Sequence, residues 1–106
     1  MKIYQKFGYN DFILAAGYKH KMIHAFFKNS NEFNVKVINT GINTNTGGRI
    51  LSIKKHIKDD YFFLTYGDGL SNVNIKKLLK FHIKNKGIVT LTAVNPPVRF
   101  GEIKFD

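Results

Sequence analysis

The chain has 106 residues, 43% of them hydrophobic and 14% aromatic, and it contains no cysteine. That composition describes a folded domain with a real core, and it excludes disulfides and thiolate metal centres. The formal net charge of +10 comes from 15 lysines spread along the chain and only two arginines, Arg49 and Arg99. Without a dense basic cluster it reads as solvated lysine surface, with no nucleic-acid partner expected.

No apolar run reaches the length of a membrane span, and the first residues lack the layout of a signal peptide, so the expectation is a cytoplasmic protein with no membrane partner. Met1 to Phe7 is short and uncapped, and Gly8 suits the end of a helix. Asp11 to Ala16 reads as a buried strand, followed by a turn at Gly17-Tyr18-Lys19. His20 to Lys28 reads as a helix with Met22, Ile23, Phe26 and Phe27 facing inward. Phe33 to Ile38 alternates like a second strand. Asn39 to Gly48 has the composition of a loop, and Ile50, Leu51, Ile53 and Ile57 then recur at helical spacing.

The chain is organised around Tyr61-Phe62-Phe63-Leu64-Thr65-Tyr66-Gly67-Asp68-Gly69. Five of its first six residues are apolar or aromatic, the composition of a strand buried on both faces. Next, Ile75, Leu78, Leu79 and His82 share one helix face opposite Lys76, Lys77, Lys80 and Lys84. Asn72 or Asn74 caps the start of that helix and Gly87 its end. Ile88 to Val94 reads as a strand, broken by Pro96-Pro97, and Gly101 to Phe105 begins another. The alternation predicts an α/β fold with a mainly parallel sheet flanked by helices.

In such a sheet Asp68 lies past the carboxyl end of a central strand, the edge where ligands bind. A carboxylate there suits a hard cation such as Mg²⁺ against phosphate oxygens. The plain alternative is an Asp-Gly turn, against which the following helix argues. Thr46-Gly47-Gly48-Arg49 can offer backbone N–H groups and a guanidinium to a phosphate, or be a flexible loop before a helix. Arg99 stands beside Gly101 after the two prolines. His20 and His24 have the i, i+4 spacing of a zinc pair, but Lys21 follows His20 where a metalloprotease needs Glu, and no third ligand is evident. There is no catalytic Ser-His-Asp arrangement and no Walker or dinucleotide fingerprint.

In order along the chain come Asn10-Asp11-Phe12-Ile13, Gly17-Tyr18-Lys19, Thr40-Gly41, Thr46-Gly47-Gly48-Arg49, Thr65-Tyr66-Gly67-Asp68-Gly69, Thr90-Leu91-Thr92-Ala93 and Pro96-Pro97 with Arg99-Phe100-Gly101. Each is weak alone. The ordered set resembles the sugar-1-phosphate nucleotidyltransferases, in particular the glucose-1-phosphate cytidylyltransferases. The resemblance implies a Rossmann-like nucleotidyltransferase fold, incomplete here. It also implies transfer of a cytidylyl group from CTP to glucose 1-phosphate for nucleotide-sugar and surface-polysaccharide biosynthesis, with Mg²⁺ as cofactor.

By that resemblance Asp68 is the metal-binding and catalytic aspartate. Thr46, Gly47, Gly48 and Arg49 lie by the nucleotide, with Arg49 also catalytic. Tyr66, Gly67 and Gly69 shape the metal loop, and Arg99, Gly101 and Glu102 lead toward the sugar. The family's amino-terminal glycine-rich loop and carboxy-terminal sugar-binding part have no counterpart, so residues 1–106 are expected to form a partial domain, weakly active or inactive alone. The link between Phe27 and Val35 is also shorter than the family pattern. The rival readings are a small basic nucleic-acid-binding module and a non-catalytic partner subunit, with a homo-oligomer left open.

Overall fold

A computed structural model describes residues 1–95. The chain divides into two compact units, Met1–Asn72 and Val73–Asp106. The first unit opens with a single helical turn, α1 (Lys2–Gln5), then β1 (Asp11–Ala16), α2 (His20–Lys28), β2 (Asn34–Asn39) and α3 (Thr46–Ile53), which tightens into a 3-10 turn at Lys54–His56. The second unit contributes α4 (Ile75–Asn85). No helix among the described residues is long and apolar enough to cross a membrane.

β1 and β2 pair in parallel, from Asp11 opposite Asn34 to Ala16 opposite Asn39. Parallel neighbours need a crossover, and α2 supplies it. The Asn34 amide donates to the Asp11 carboxylate at the start of the pair. At the other end both strands stop in step, so the loops after Ala16 and after Asn39 leave from the same edge. α2 packs on β2, and α3 packs on β1. Ala16 and Ile53 are the buried apolar residues of this unit.

An aromatic cluster holds the amino-terminal side of the unit together. Tyr4 and Phe12 meet edge to face with ring centroids 6.4 Å apart, and Phe12 meets Phe33 in the same way at 5.6 Å. Phe63 joins from further along the chain, 5.7 Å from Tyr4 and 5.1 Å from Tyr9. Such pairs contribute beyond their buried area, about 0.5–1.5 kcal/mol each.

Four expectations are corrected. Tyr61 to Thr65 forms no strand: Phe63 anchors the segment by its ring, whereas Phe62 and Leu64 remain 53% and 61% exposed. Ile88 to Val94 is likewise irregular, with Ile88 98% exposed. A strand exists only where a second row of N–H and C=O groups lies alongside, and among the described residues none does for either segment. Met22 and Phe26 point outward, Phe26 being 74% exposed, while Ile23 and Phe27 carry the inward stripe of α2. Finally, α3 begins at Thr46, so Gly47 and Gly48 belong to its first turn rather than to the preceding loop. The expected strand within 101–105 lies outside the described residues.

The helix in the second unit follows its pattern. Asn74 caps α4, its Oδ1 accepting from the Lys77 N–H at 3.0 Å. Ile75 is buried, Leu78, Leu79 and His82 are half-buried, and the four lysines of the opposite face are exposed. The left-handed residue closing the helix is Lys86, at φ 51°, one position before the glycine expected there. His82 Nδ1 lies 2.8 Å from the Thr90 hydroxyl.

Candidate functional site

The shared register of β1 and β2 brings the Gly17-Tyr18-Lys19 turn and the Thr40–Asn45 loop to one sheet edge, where α3 begins. Asn45 is the N-cap of α3; its Oδ1 accepts from the Gly48 N–H at 2.8 Å. An asparagine before a Thr-Gly-Gly stretch starts a helix that glycine alone would disfavour. The first turn then carries Arg49 back toward the strand ends.

Thr40 is the buried polar residue at this edge, 8% exposed. Its N–H donates to the Ala16 carbonyl at 2.8 Å, and its hydroxyl donates to the same oxygen at 3.0 Å. Arg49 Nη1 donates to that hydroxyl at 2.6 Å, and Nη2 donates to the Ile42 carbonyl at 3.3 Å. The Thr44 hydroxyl closes the loop onto the Thr40 carbonyl. Gly41 takes φ +92°, a conformation that L side chains rarely adopt, and its N–H donates to Asn39 Oδ1 at 3.1 Å.

Gly17 makes this arrangement possible. A Cβ built there would stand 2.7 and 2.8 Å from the two terminal guanidinium nitrogens of Arg49 and 2.8 Å from the Gly41 carbonyl oxygen. Only a bare Cα lets the guanidinium lie against the end of β1.

Asp68 sits elsewhere in the same unit, in a turn closed by the Gly69 N–H donating to the Tyr66 carbonyl at 3.2 Å. The Thr65 hydroxyl donates to the same carbonyl. Tyr66, Gly67, Asp68 and Gly69 are all exposed, and the Asp68 carboxylate has no protein donor or cation bound to it among the described residues. It is therefore free to accept a ligand's cation. No group of three or more His, Cys, Asp or Glu that could hold a metal ion stands together among the described residues.

The structure thus assembles Thr46, Gly47, Gly48 and Arg49 with the β1 and β2 ends. It keeps Tyr66, Gly67, Asp68 and Gly69 in a separate turn, and among the described residues no hydrogen bond joins the two sets. Arg99, Gly101 and Glu102 lie outside the described residues. His20 and His24 share an open depression of about 330 Å³ with Lys21, Val37 and Asn39. Among the described residues, half-buried His56 is the titratable group with a displaced pKa: partial desolvation and the neighbouring Lys36 and Lys55 ammonium groups hold its imidazole below the ordinary 6.5. Thr40 and Gly17 hold Arg49 in place, whereas sequence reasoning assigned Gly17 only a turn and both residues only a place in the ordered motif set. The available signals were a glycine directly after one strand and a threonine directly after its in-register neighbour.

The chain is similar to several curated proteins. It is 35% identical over 125 residues to the probable glucose-1-phosphate cytidylyltransferase of Bacillus subtilis, a match covering 97% of this chain and 49% of that protein. The glucose-1-phosphate cytidylyltransferase of Salmonella typhimurium is 35% identical over 127 residues with the same coverage. The D-glycero-alpha-D-manno-heptose 1-phosphate guanylyltransferase of Aneurinibacillus thermoaerophilus is 33% identical over 98 residues, covering 90% of this chain and 41% of that protein. The chain spans about half the length of the cytidylyltransferases it matches. Their matched spans exceed its own 106 residues, so they carry extra residues within the shared region. No protein-family model and no solved structure matches.

Proposed function

We propose, from the chain's membership of the sugar-1-phosphate nucleotidyltransferase family, that it takes part in cytidylyl transfer from CTP to glucose 1-phosphate. The observation that carries this reading is the 35% identity to cytidylyltransferases across 97% of the chain. CTP is favoured over GTP because those matches cover more of the chain than the guanylyltransferase does.

In this reaction an oxygen of the sugar 1-phosphate attacks the α-phosphorus of the nucleotide, and the bond to pyrophosphate breaks. The protein needs to contribute little covalent chemistry; positioning and charge neutralisation dominate. Asp68 is proposed to hold the divalent cation, for which its unengaged carboxylate is suited. A bound Mg²⁺ would neutralise charge on the phosphate oxygens. Tyr66, Gly67 and Gly69 set the turn that presents this carboxylate. Thr46 to Arg49 stand on the nucleotide side, and Arg99, Gly101 and Glu102 are assigned to the sugar side. The 106 residues supply one portion of that machinery.

The test is calorimetric titration of CTP into the chain with and without Mg²⁺, repeated on Asp68→Asn. Magnesium-dependent binding that disappears in the variant is expected. Binding indifferent to both magnesium and Asp68, or none by the folded wild-type chain, would overturn the assignment for these residues.

A further inference from the structure

We propose that Arg49 serves the nucleotide site as a positioning residue, a clasp across the sheet edge, and that Thr40 and Gly17 set it. The functional half of this inference rests on the proposed nucleotide site; the clasp itself rests on geometry alone. Both terminal nitrogens of the guanidinium are already engaged, Nη1 on the Thr40 hydroxyl at 2.6 Å and Nη2 on the Ile42 carbonyl at 3.3 Å. The Thr40 hydroxyl donates its own proton to the Ala16 carbonyl at 3.0 Å. A permanent cation thus heads a relay of hydrogen bonds that ends on the last residue of β1, and each bond polarises the next.

The planar fork spans both ends of the short segment Thr40-Gly41-Ile42. That segment includes the positive φ at Gly41 and leads into Asn45, the cap of α3. Releasing the fork therefore frees the loop and the start of the helix together. Lysine cannot replace it, because one ammonium on a flexible stem does not reproduce a rigid pair of donors aimed at two acceptors. Gly17 is the floor on which the fork lies: any Cβ there displaces the guanidinium before it reaches Thr40.

The test uses the full chain and two readouts. In nitrogen-15 spectra the Arg49 guanidinium should give resolved, slowly exchanging N–H signals. Thr40→Val and Gly17→Ala should collapse them to the averaged signals of a free arginine, while Thr40→Ser keeps them. By calorimetry with CTP and Mg²⁺, Thr40→Val and Arg49→Lys should each weaken binding by about tenfold or more, the scale of one lost charge-assisted hydrogen bond. The double variant should be no weaker than either single one, because both remove the same contact, and Thr40→Ser should restore wild-type affinity. Wild-type affinity in Thr40→Val, or additive losses in the double variant, overturns the positioning role. Arg49 signals that ignore Thr40→Val overturn the clasp whatever CTP does. Signals that respond as expected in a chain that does not bind CTP leave the clasp standing and remove the nucleotide site. Should Thr40→Val or Gly17→Ala unfold, Arg49→Lys and Thr40→Ser decide: a loss with the first but not with the second supports the clasp, and equal behaviour of the two overturns it.

Discussion

At the scale of single residues, charge in this chain acts through what surrounds it. Arg49 and His56 both lie in the α3 region, in different surroundings. Arg49 donates to two oriented oxygens, the Thr40 hydroxyl and the Ile42 carbonyl. The His56 imidazole meets partial desolvation and then the ammonium groups of Lys36 and Lys55, so its protonation is disfavoured in the folded chain. The unfolded chain then binds more protons as pH falls through the histidine range, and stability must drop with it. The contribution of His56 is present above the ordinary value of 6.5 and is lost as pH falls below it. Urea midpoints measured on either side of that value should therefore differ less in His56→Gln than in the wild type. An unchanged difference would show that His56 does not set the slope.

Individual elements depend on their caps more than on their interiors. α3 begins with Thr-Gly-Gly, a poor helical start, and α4 begins with no acidic residue in its first turn. Each is started by one asparagine, Asn45 or Asn74, whose side chain accepts an otherwise orphaned N–H. Asn45→Ala and Asn74→Ala should each cost about 1 kcal/mol in denaturant unfolding. Asn45→Ala should in addition loosen the Arg49 contact, since the cap fixes the turn that carries it. A cost near zero at Asn45 would mean that the clasp, rather than the cap, starts the helix. The α4 cap, the limits of β1 and α2, and the apolar face of α4 were legible in the sequence, because each rests on residues within a few positions of one another; the Asn45 cap was not read, because Asn39 to Gly48 has the composition of a loop. The contact between Arg49 and Gly17 was not, because it joins residues 32 positions apart that nothing local connects.

The whole chain carries more apolar surface than its elements cover. Ala16, Ile53 and Ile75 are the buried apolar residues among those described, and no large side chain there is fully buried. Phe26, Leu70, Ile88 and Leu91 stand largely exposed. Exposed apolar surface of this kind binds hydrophobic dyes. The folded chain should accordingly enhance the fluorescence of anilinonaphthalene sulfonate at neutral pH without denaturant. A signal no stronger than that of a close-packed domain of equal size would contradict these exposures. The sequence by itself determined the α/β class, the parallel β1-α2-β2 unit and the family, because turn chemistry, hydrophobic period and ordered motifs are written locally along the chain. Tertiary structure decided that Tyr61 to Thr65 and Ile88 to Val94 form no strand among the described residues, that Met22 and Phe26 face outward, and that Arg49 turns back onto Thr40. A strand, a buried face and a hydrogen-bonded cation each require a partner from a distant part of the chain, and only the folded arrangement shows whether that partner arrives.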